Sequence, residues 1–135
     1  MTQNDKSERR ITAAEALRRY RDEDLPAFSG IPLGSVNQVG NFGERPLNVA
    51  SVRGKLEEVA ALVDGGAGLD ARGELGYTAL HDAVAQGHVE IVKFLLTQGA
   101  SPIAPNDKGR TPVETAAELN RREILALLKS PPTGD

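Results

Sequence analysis

The stretch that decides the fold runs from Gly76 to Ala100 and reads GYTALHDAVAQGHVEIVKFLLTQGA. It predicts two short helices that reverse at Gly87, because glycine freely adopts the positive φ of a tight turn. Thr78 suits the N-cap of the first helix, since its hydroxyl can accept from the first-turn N–H groups. Gly99 is a typical end for the second helix. Apolar residues recur at spacings of three and four, so the pair needs neighbours to cover it.

The same pattern occurs three times at one constant spacing, with no insertion between copies. The aligned apolar sets are Leu47, Leu80 and Val113; Ala50, Ala83 and Ala116; Val59, Val92 and Leu125; and Leu62, Leu95 and Leu128. The turn inside each pair falls at Gly54, Gly87 and Asn120, and asparagine is the non-glycine residue that best tolerates the left-handed region. The repetition predicts helices at about 46–52 and 56–63, 79–85 and 89–97, and 112–119 and 122–129.

Two segments carry a family resemblance. TALHDA at 78–83 and TPVETA at 111–116 resemble the T-P-L-H-x-A signature of the ankyrin repeat, whose period of about 33 residues also fits. The resemblance covers residues 36–129 and implies a mainly α solenoid in which each repeat is a β-hairpin followed by an α-hairpin. Segments 36–42, 69–75 and 103–108 are the expected hairpin-like fingers. The resemblance also implies that the His81 imidazole bonds a neighbouring turn, which is a structural role.

The chain divides into three parts on this basis. Residues 1–35 form an N-terminal capping helix and a Pro/Gly-rich segment, 36–129 form the repeats (about 40–72, 73–105 and 106–129), and 130–135 form a flexible tail. Thr12 and Glu15 have the spacing of a capping box, which predicts a helix to about Arg21. Its apolar stripe is Ile11, Ala14 and Leu17, ending at Tyr20. We interpret this helix as a lid over the open end of the stack; the alternative is a helix that binds a partner or self-associates.

Composition excludes several classes of protein. The 135 residues are enough for one domain, and the net charge of −3 with interspersed signs argues against nucleic-acid binding. No apolar run approaches the roughly 20 residues of a membrane span. The stretch from Met1 to Tyr20 lacks an apolar core, so no secretory signal is expected and a cytoplasmic location is predicted. The absence of cysteine excludes disulfides, thiol catalysis and thiolate metal sites.

The residues that could support catalysis are few. His81 and His88 lack the His-Glu-x-x-His spacing of a zinc site. The glycine-rich segments 40–43 and 65–68 are interpreted as turns, because a phosphate loop needs a following helix and usually a lysine. The pair Glu57-Glu58 is placed on a solvated helix face, where adjacent residues do not converge. No catalytic, cofactor or metal site is therefore predicted, and the protein is expected not to be an enzyme.

The resemblance to ankyrin repeats also suggests where a partner would bind. In such domains the finger tips and the inner ends of the first helices line a concave surface. Transferred position by position, the candidate partner-binding residues are Asn41, Phe42, Glu44, Val52, Arg53, Glu74, Leu75, Tyr77, Gln86, Asp107, Lys108, Arg110 and Leu119. Clustered apolar residues rimmed by charge are typical of a protein interface.

The predicted function is non-enzymatic protein binding that masks or inhibits one partner. A specific version is an immunity or antitoxin-like protein that covers the active site of a bacterial toxin. The competing class is a small-ligand-binding protein or enzyme that uses the N-terminal segment. A deep polar pocket holding a histidine and a carboxylate would favour that class. The chain is expected to be a monomer or to self-associate weakly.

Overall fold

The computed structural model describes residues 10–131, so the predicted polar N-terminal end and most of the predicted tail at 130–135 lie outside the described residues. Within that range the chain forms seven α-helices and two single turns of 3₁₀-helix, at Pro26–Phe28 and Glu74–Gly76. The α-helices are α1 (Ala13–Asp22), α2 (Pro46–Arg53), α3 (Leu56–Asp64), α4 (Ala79–Gln86), α5 (Val89–Thr97), α6 (Pro112–Glu118) and α7 (Arg122–Lys129).

The helices stack in two parallel rows. Helix α2 packs on α4 and α4 on α6, which makes an inner row, while α3, α5 and α7 make an outer row. The two helices of each pair also pack against each other. All six predicted repeat helices are confirmed, and each bound lies at the predicted position or next to it. The result is the helical solenoid that the constant spacing of the three copies predicts.

Local chemistry explains where these helices begin and reverse. The hydroxyls of Thr78 and Thr111 accept from the backbone N–H groups of His81 and Glu114, so α4 and α6 have side-chain N-caps. The turns between paired helices are left-handed at Gly54 (φ 74°), Gly87 (φ 77°) and Asn120 (φ 58°). The predicted equivalence of this asparagine with the two glycines is therefore confirmed.

The core follows the aligned apolar sets. The alanines at 50, 83 and 116 are all fully buried, and so are Leu62 and Leu95. Leu47 and Leu80 are buried as well, whereas Val113 and Leu125 of the third pair are only partly buried against the core. The described chain places no further helical pair beyond α6 and α7, which explains the greater exposure of the third copy.

The fingers between repeats are tight turns. The fingers were predicted as β-hairpins, and this part of the prediction was wrong, because no residue between 10 and 131 is in a β-strand. Each finger is closed by one short backbone bond, from the N–H of Gly40, Gly73 or Asn106 to the C=O four residues later, at 2.6–2.8 Å. Glycines and prolines on either side of these turns leave little extended backbone for a ladder.

The N-terminal helix lies at the end of the outer row, where α1 packs on α3 as the predicted lid would. Its capping box at Thr12 and Glu15 is confirmed. The predicted stripe was partly wrong, because Ala14 is exposed and Ala16 takes its place beside Leu17 and Tyr20 in the core. A helix that packs by positions 13, 16, 17 and 20 uses the same period of three and four from a different starting residue.

The segment after α1 takes the place of a preceding finger. Phe28 and Leu33 are buried, and the Asn41 N–H donates to the Ala27 C=O at 2.6 Å. The equivalent contact joins the second and third fingers, where the Asp107 N–H donates to the Leu75 C=O at 3.0 Å. The 3₁₀-turn at Pro26–Phe28 thus continues the row of fingers.

The contact between α1 and α3 contains a buried carboxylate. The prediction that Glu58 lies on a solvated face was wrong, because this residue is fully buried. Its Oε1 accepts from the Tyr20 hydroxyl at 2.8 Å and from Arg53 Nε at 3.3 Å, and its Oε2 lies 3.2 Å from Arg19 Nη1. Burial and the Glu58 carboxylate raise the pKa of Tyr20 far above its ordinary value. We call Arg19, Tyr20, Arg53 and Glu58 the lid cluster.

Across residues 10–131, no helix combines the length and the hydrophobicity that crossing a lipid bilayer requires.

Candidate functional site

The inner side of the stack carries a groove of about 400 Å³ between the first two fingers and helices α2 and α4. Its walls are mainly apolar. We call it the concave groove, and it is lined by Glu44, Asn48, Val49, Val52, Arg53, Glu74, Leu75, Tyr77 and Asp82. Helix periodicity explains the α2 wall, because Val52 and Arg53 follow Val49 by three and four residues, about one turn, on one face.

The second finger supplies the opposite edge. Leu75 is in the left-handed region, with φ 57°, and its side chain is 62% exposed. Non-glycine residues rarely adopt this conformation without a structural reason. Here the Leu75 C=O accepts from the Asp107 N–H of the next finger, and Tyr77 follows at the base of the turn. The finger therefore presents one leucine to solvent at the mouth of the groove.

The groove is acidic at its base. Asp82 Oδ2 accepts from Asn48 Nδ2 at 2.8 Å. Burial raises the pKa of Asp82 to about 7; the hydrogen bond from Asn48 lowers it, and the nearby Glu74 carboxylate raises it further. Glu44 adds a third carboxylate to the lining, and its Oε1 accepts from the Phe42 N–H at 3.0 Å.

Arg53 joins the groove to the lid cluster. Its Nε lies 3.3 Å from Glu58 Oε1, and its Nη2 lies 3.0 Å from Glu23 Oε1 at the end of α1. The guanidinium carbon also stands 5.4 Å from the centre of the Tyr20 ring. Burial lowers the pKa of Arg53, but Glu58, with smaller contributions from Glu23 and Tyr20, outweighs burial, and the net pKa is raised. The charge of Arg53 is therefore balanced by carboxylates behind the groove.

Asn48 and His81 hold equivalent positions and do equivalent work. The His81 Nε2 lies 2.9 Å from the Arg110 C=O, and its Nδ1 lies 3.0 Å from the Thr78 N. Asn48 makes the equivalent two contacts in the first repeat. Its Oδ1 accepts from the Arg45 N–H, and its Nδ2 donates to the Tyr77 C=O. The predicted bond from His81 to a neighbouring turn is confirmed.

The concave groove brings together six of the thirteen predicted site residues. They are Glu44, Val52, Arg53, Glu74, Leu75 and Tyr77. Tyr77 is half-buried, and its ring centre lies 5.4 Å from that of His81. The other seven lie outside the lining, at Asn41, Phe42, Gln86, Asp107, Lys108, Arg110 and Leu119. All seven are exposed, and we call them the rim residues.

Three of these rim residues are held by structural contacts. The Asn41 amide donates to the Pro26 and Ser29 carbonyls at 3.0 Å each, so it fastens the finger to the N-terminal segment. Asp107 forms an ion pair with Arg72 of the preceding finger. Arg110 forms an ion pair with Glu118 of its own repeat. Such contacts orient the rim side chains without removing them from the surface.

The sequence-based prediction missed three residues of the groove: Asn48, Val49 and Asp82. The prediction took only the ends of the inner helices. One turn back along the same helix face lies Val49 on α2, and its equivalent one repeat later on α4 is Asp82. Asn48 stands at the His position of the repeat signature, where the resemblance implies a structural role for His81. The helix period, together with the repeat spacing, was the signal that would have found Val49 and Asp82.

The N-terminal segment has a shallow depression of about 380 Å³. It is lined by Tyr20, Arg21, Asp24, Phe28, Gly30, Ile31 and Pro32, and holds no histidine. The two histidines instead bond backbone carbonyls, since His88 Nε2 lies 3.1 Å from the Val52 C=O and His81 contacts Arg110. Residues 10–131 contain no group of three His, Asp or Glu side chains that could hold a metal ion.

Geometry and sequence together define a helical-repeat solenoid with a concave inner face. The family model described as ankyrin repeats (3 copies) matches residues 23–106, which is more than half of the chain. The chain belongs to the ankyrin-repeat family. Helices α6 and α7 lie beyond the matched range, and the structure places them in the same stack. A search against curated proteins found no significant match to the chain. Ankyrin repeats are generally protein–protein interaction modules and are typically not enzymes.

Proposed function

We propose that this protein binds one partner protein through the concave groove and its rim, and thereby masks a surface of that partner. The observation that carries the proposal is the groove itself, a mainly apolar space of about 400 Å³ bounded by charged residues on the inner face of the stack. Apolar centres with charged rims are typical of protein interfaces. The large exposed side chains at its mouth, Leu75 and Val52, are available for contact.

The inner face of the described repeats supports masking of one partner. Three helical pairs present one inner face, and the concave groove on it combines apolar walls with charged residues. A narrower form of the proposal is that the masked surface is the active site of a bacterial toxin, as in an immunity or antitoxin-like protein. We propose the cytoplasm as the compartment and a monomer as the free state.

A pair of double variants tests the proposal. Leu75→Ala with Val52→Ala removes two exposed apolar side chains from the groove. Val39→Ala with Ile103→Ala removes two equally exposed ones that lie outside it. Affinity capture from the source cells, quantified by mass spectrometry, should show a partner retained by wild type and the control but lost from the groove variant. Equal capture by all three would place the binding surface elsewhere.

Titration of the captured partner tests the masking role. We expect saturation at one chain per partner and loss of the partner's activity at the same ratio. For the narrower form, co-expression should restore growth to cells that produce the toxin. If the partner kept full activity in the saturated complex, the chain would still be a binding protein, but masking of the partner's activity would be excluded.

A further inference from the structure

We propose that the partner inserts a lysine or arginine side chain into the concave groove, where it pairs with Asp82 and Glu74 while an apolar neighbour contacts the α2 wall. This inference rests on the proposed function and adds the chemistry of the partner. The occupant is an extended segment of another protein, because a space of about 400 Å³ is near the lower end for ligand sites and suits one or two side chains.

The first support is a surplus of negative charge. Three carboxylates line the groove, those of Glu44, Glu74 and Asp82, and Arg53 is the one cation among the nine lining residues. The Arg53 guanidinium is engaged behind the groove by Glu58 and Glu23. The acidic base of the groove therefore lacks a cation of its own, and a cationic guest would be complementary to it.

The second support is that nearby cations are engaged elsewhere. Arg72 of the second finger forms an ion pair with Asp107. The Arg45 guanidinium donates to the carbonyls of Arg72 and Asn37. Asp82 receives the Asn48 amide, a neutral donor, at 2.8 Å. A charged donor from outside would form stronger hydrogen bonds with a carboxylate than this neutral contact.

The third support is the shape of the walls. Lysine and arginine pack their aliphatic stems along apolar surface while the charged end reaches a polar site. Here the apolar walls of Val49 and Val52 lead inward to Asp82, and Leu75 stands at the mouth. The Tyr77 ring also lines the groove, and aromatic faces attract guanidinium groups. The groove thus provides both parts of a site for a long cationic side chain.

Acidity should control this binding. Burial raises the pKa of Asp82 to about 7, so its negative charge is lost as the pH falls below that value. The other ionisable side chains that line the groove are Glu44, Glu74, Arg53 and Tyr77. Affinity for a cationic peptide should therefore rise between pH 6 and pH 8, whereas a peptide held by apolar contacts alone should show no such rise.

Peptide selection on the full chain tests the inference. A random octapeptide display library is panned at pH 8, and the strongest clone is synthesised with its basic residue intact or replaced by citrulline, which is neutral and similar in shape to arginine. We expect enriched peptides to carry arginine or lysine beside an apolar residue, and citrulline to weaken binding about tenfold or more. No enrichment, or enrichment without a basic residue, would overturn the inference.

Matched variants locate the effect. Asp82→Asn and Glu74→Gln should each weaken the basic peptide several-fold, and Glu123→Gln, which removes a carboxylate from exposed α7, should leave it unchanged. If Leu75→Ala weakens the selected peptides but neither carboxylate variant does, the groove is a binding site without this charge preference. If none of these variants weakens them, both the inference and the proposed function fail. Undiminished binding of the citrulline peptide also contradicts the inference.

Discussion

The two kinds of junction in this stack are built from different chemistry. Between repeats the outer helices meet through apolar side chains, including Ile91 and Ile124, which are both buried. At the lid junction the equivalent residue in the repeat frame is Glu58, which is also fully buried and is bonded to Tyr20, Arg19 and Arg53. One frame position therefore holds isoleucine inside the stack and a hydrogen-bonded carboxylate at its end.

The difference teaches how a helix outside the repeat register is positioned. Repeats fit one another because the same shape recurs in every copy, so apolar contact is sufficient. Helix α1 is outside this register. A helix one repeat length before α3 would start at position 23, whereas α1 has already ended at Asp22. The buried Glu58 carboxylate is bonded by three side chains, and leaving any of them unpaired would be costly. These bonds therefore favour one position of α1.

The largest expected effect is at the apolar junction. Leu95 is fully buried in the central repeat, so Leu95→Ala should lower the free energy of unfolding by about 2–5 kcal/mol. Urea denaturation followed by helical circular dichroism measures this loss. Leu56→Ala, at a position that is 40% exposed, is the control and should change little. A free energy of unfolding equal to that of wild type for Leu95→Ala would contradict the repeat register.

A smaller effect is expected at the lid junction. Glu58→Gln keeps the shape but removes a buried charge that three side chains bond, so we expect a loss of about 1.5–3 kcal/mol. The matched control is Glu57→Gln, next in sequence, whose exposed ion pair with Arg19 is worth about 0–1 kcal/mol. Equal losses from the two variants would show that the lid cluster does not position α1.

The repeat architecture was predictable from sequence, and the lid junction was not. Spacing alone located six helices and the left-handed Asn120, because every copy repeats the same local signals. Glu58 was assigned to solvent because charged residues are usually exposed. Its alignment with Ile91 and Ile124 was the available signal. The partners of Glu58 come largely from α1, and no periodicity relates that helix to the repeats.

The groove was predicted in part for a related reason. Equivalence between repeats identified finger residues such as Leu75 and Tyr77, which lie in its lining. Asp82 was missed because it occupies the variable position of the repeat signature. Its burial and its bond with Asn48 depend on how α2 and α4 pack, and the repeat pattern does not specify that polar contact.

The third expected effect is a change in pH dependence at Asp82. The folded state raises the pKa of Asp82 to about 7, above its unfolded value of about 4, so the folded state holds the proton more tightly. The Asp82 carboxylate should therefore cost stability progressively from about pH 4 to pH 7, and fully above pH 7. Burial lowers the pKa of His81, so the folded state disfavours the protonated imidazole. This acts in the opposite direction, because the folded state loses stability as the pH falls below about 6.5, the pKa of histidine in the unfolded chain.

Asp82→Asn separates these contributions. Relative to wild type, the variant should gain more stability at pH 8 than at pH 4, measured as the urea midpoint at each pH. Asp64→Asn, at an exposed position at the end of α3, is the control for loss of one carboxylate. An equal difference between Asp82→Asn and wild type at the two pH values would contradict the raised pKa.

Hydrogen–deuterium exchange of the chain with and without its captured partner tests the central claim most directly. Three stacked helical pairs should use their inner face for binding, so protection should concentrate in 44–53 and 74–82, the segments that line the concave groove. The outer helices α3, α5 and α7 should exchange as in the free chain. Protection confined to those outer helices, or to the N-terminal segment, would contradict the proposed binding surface.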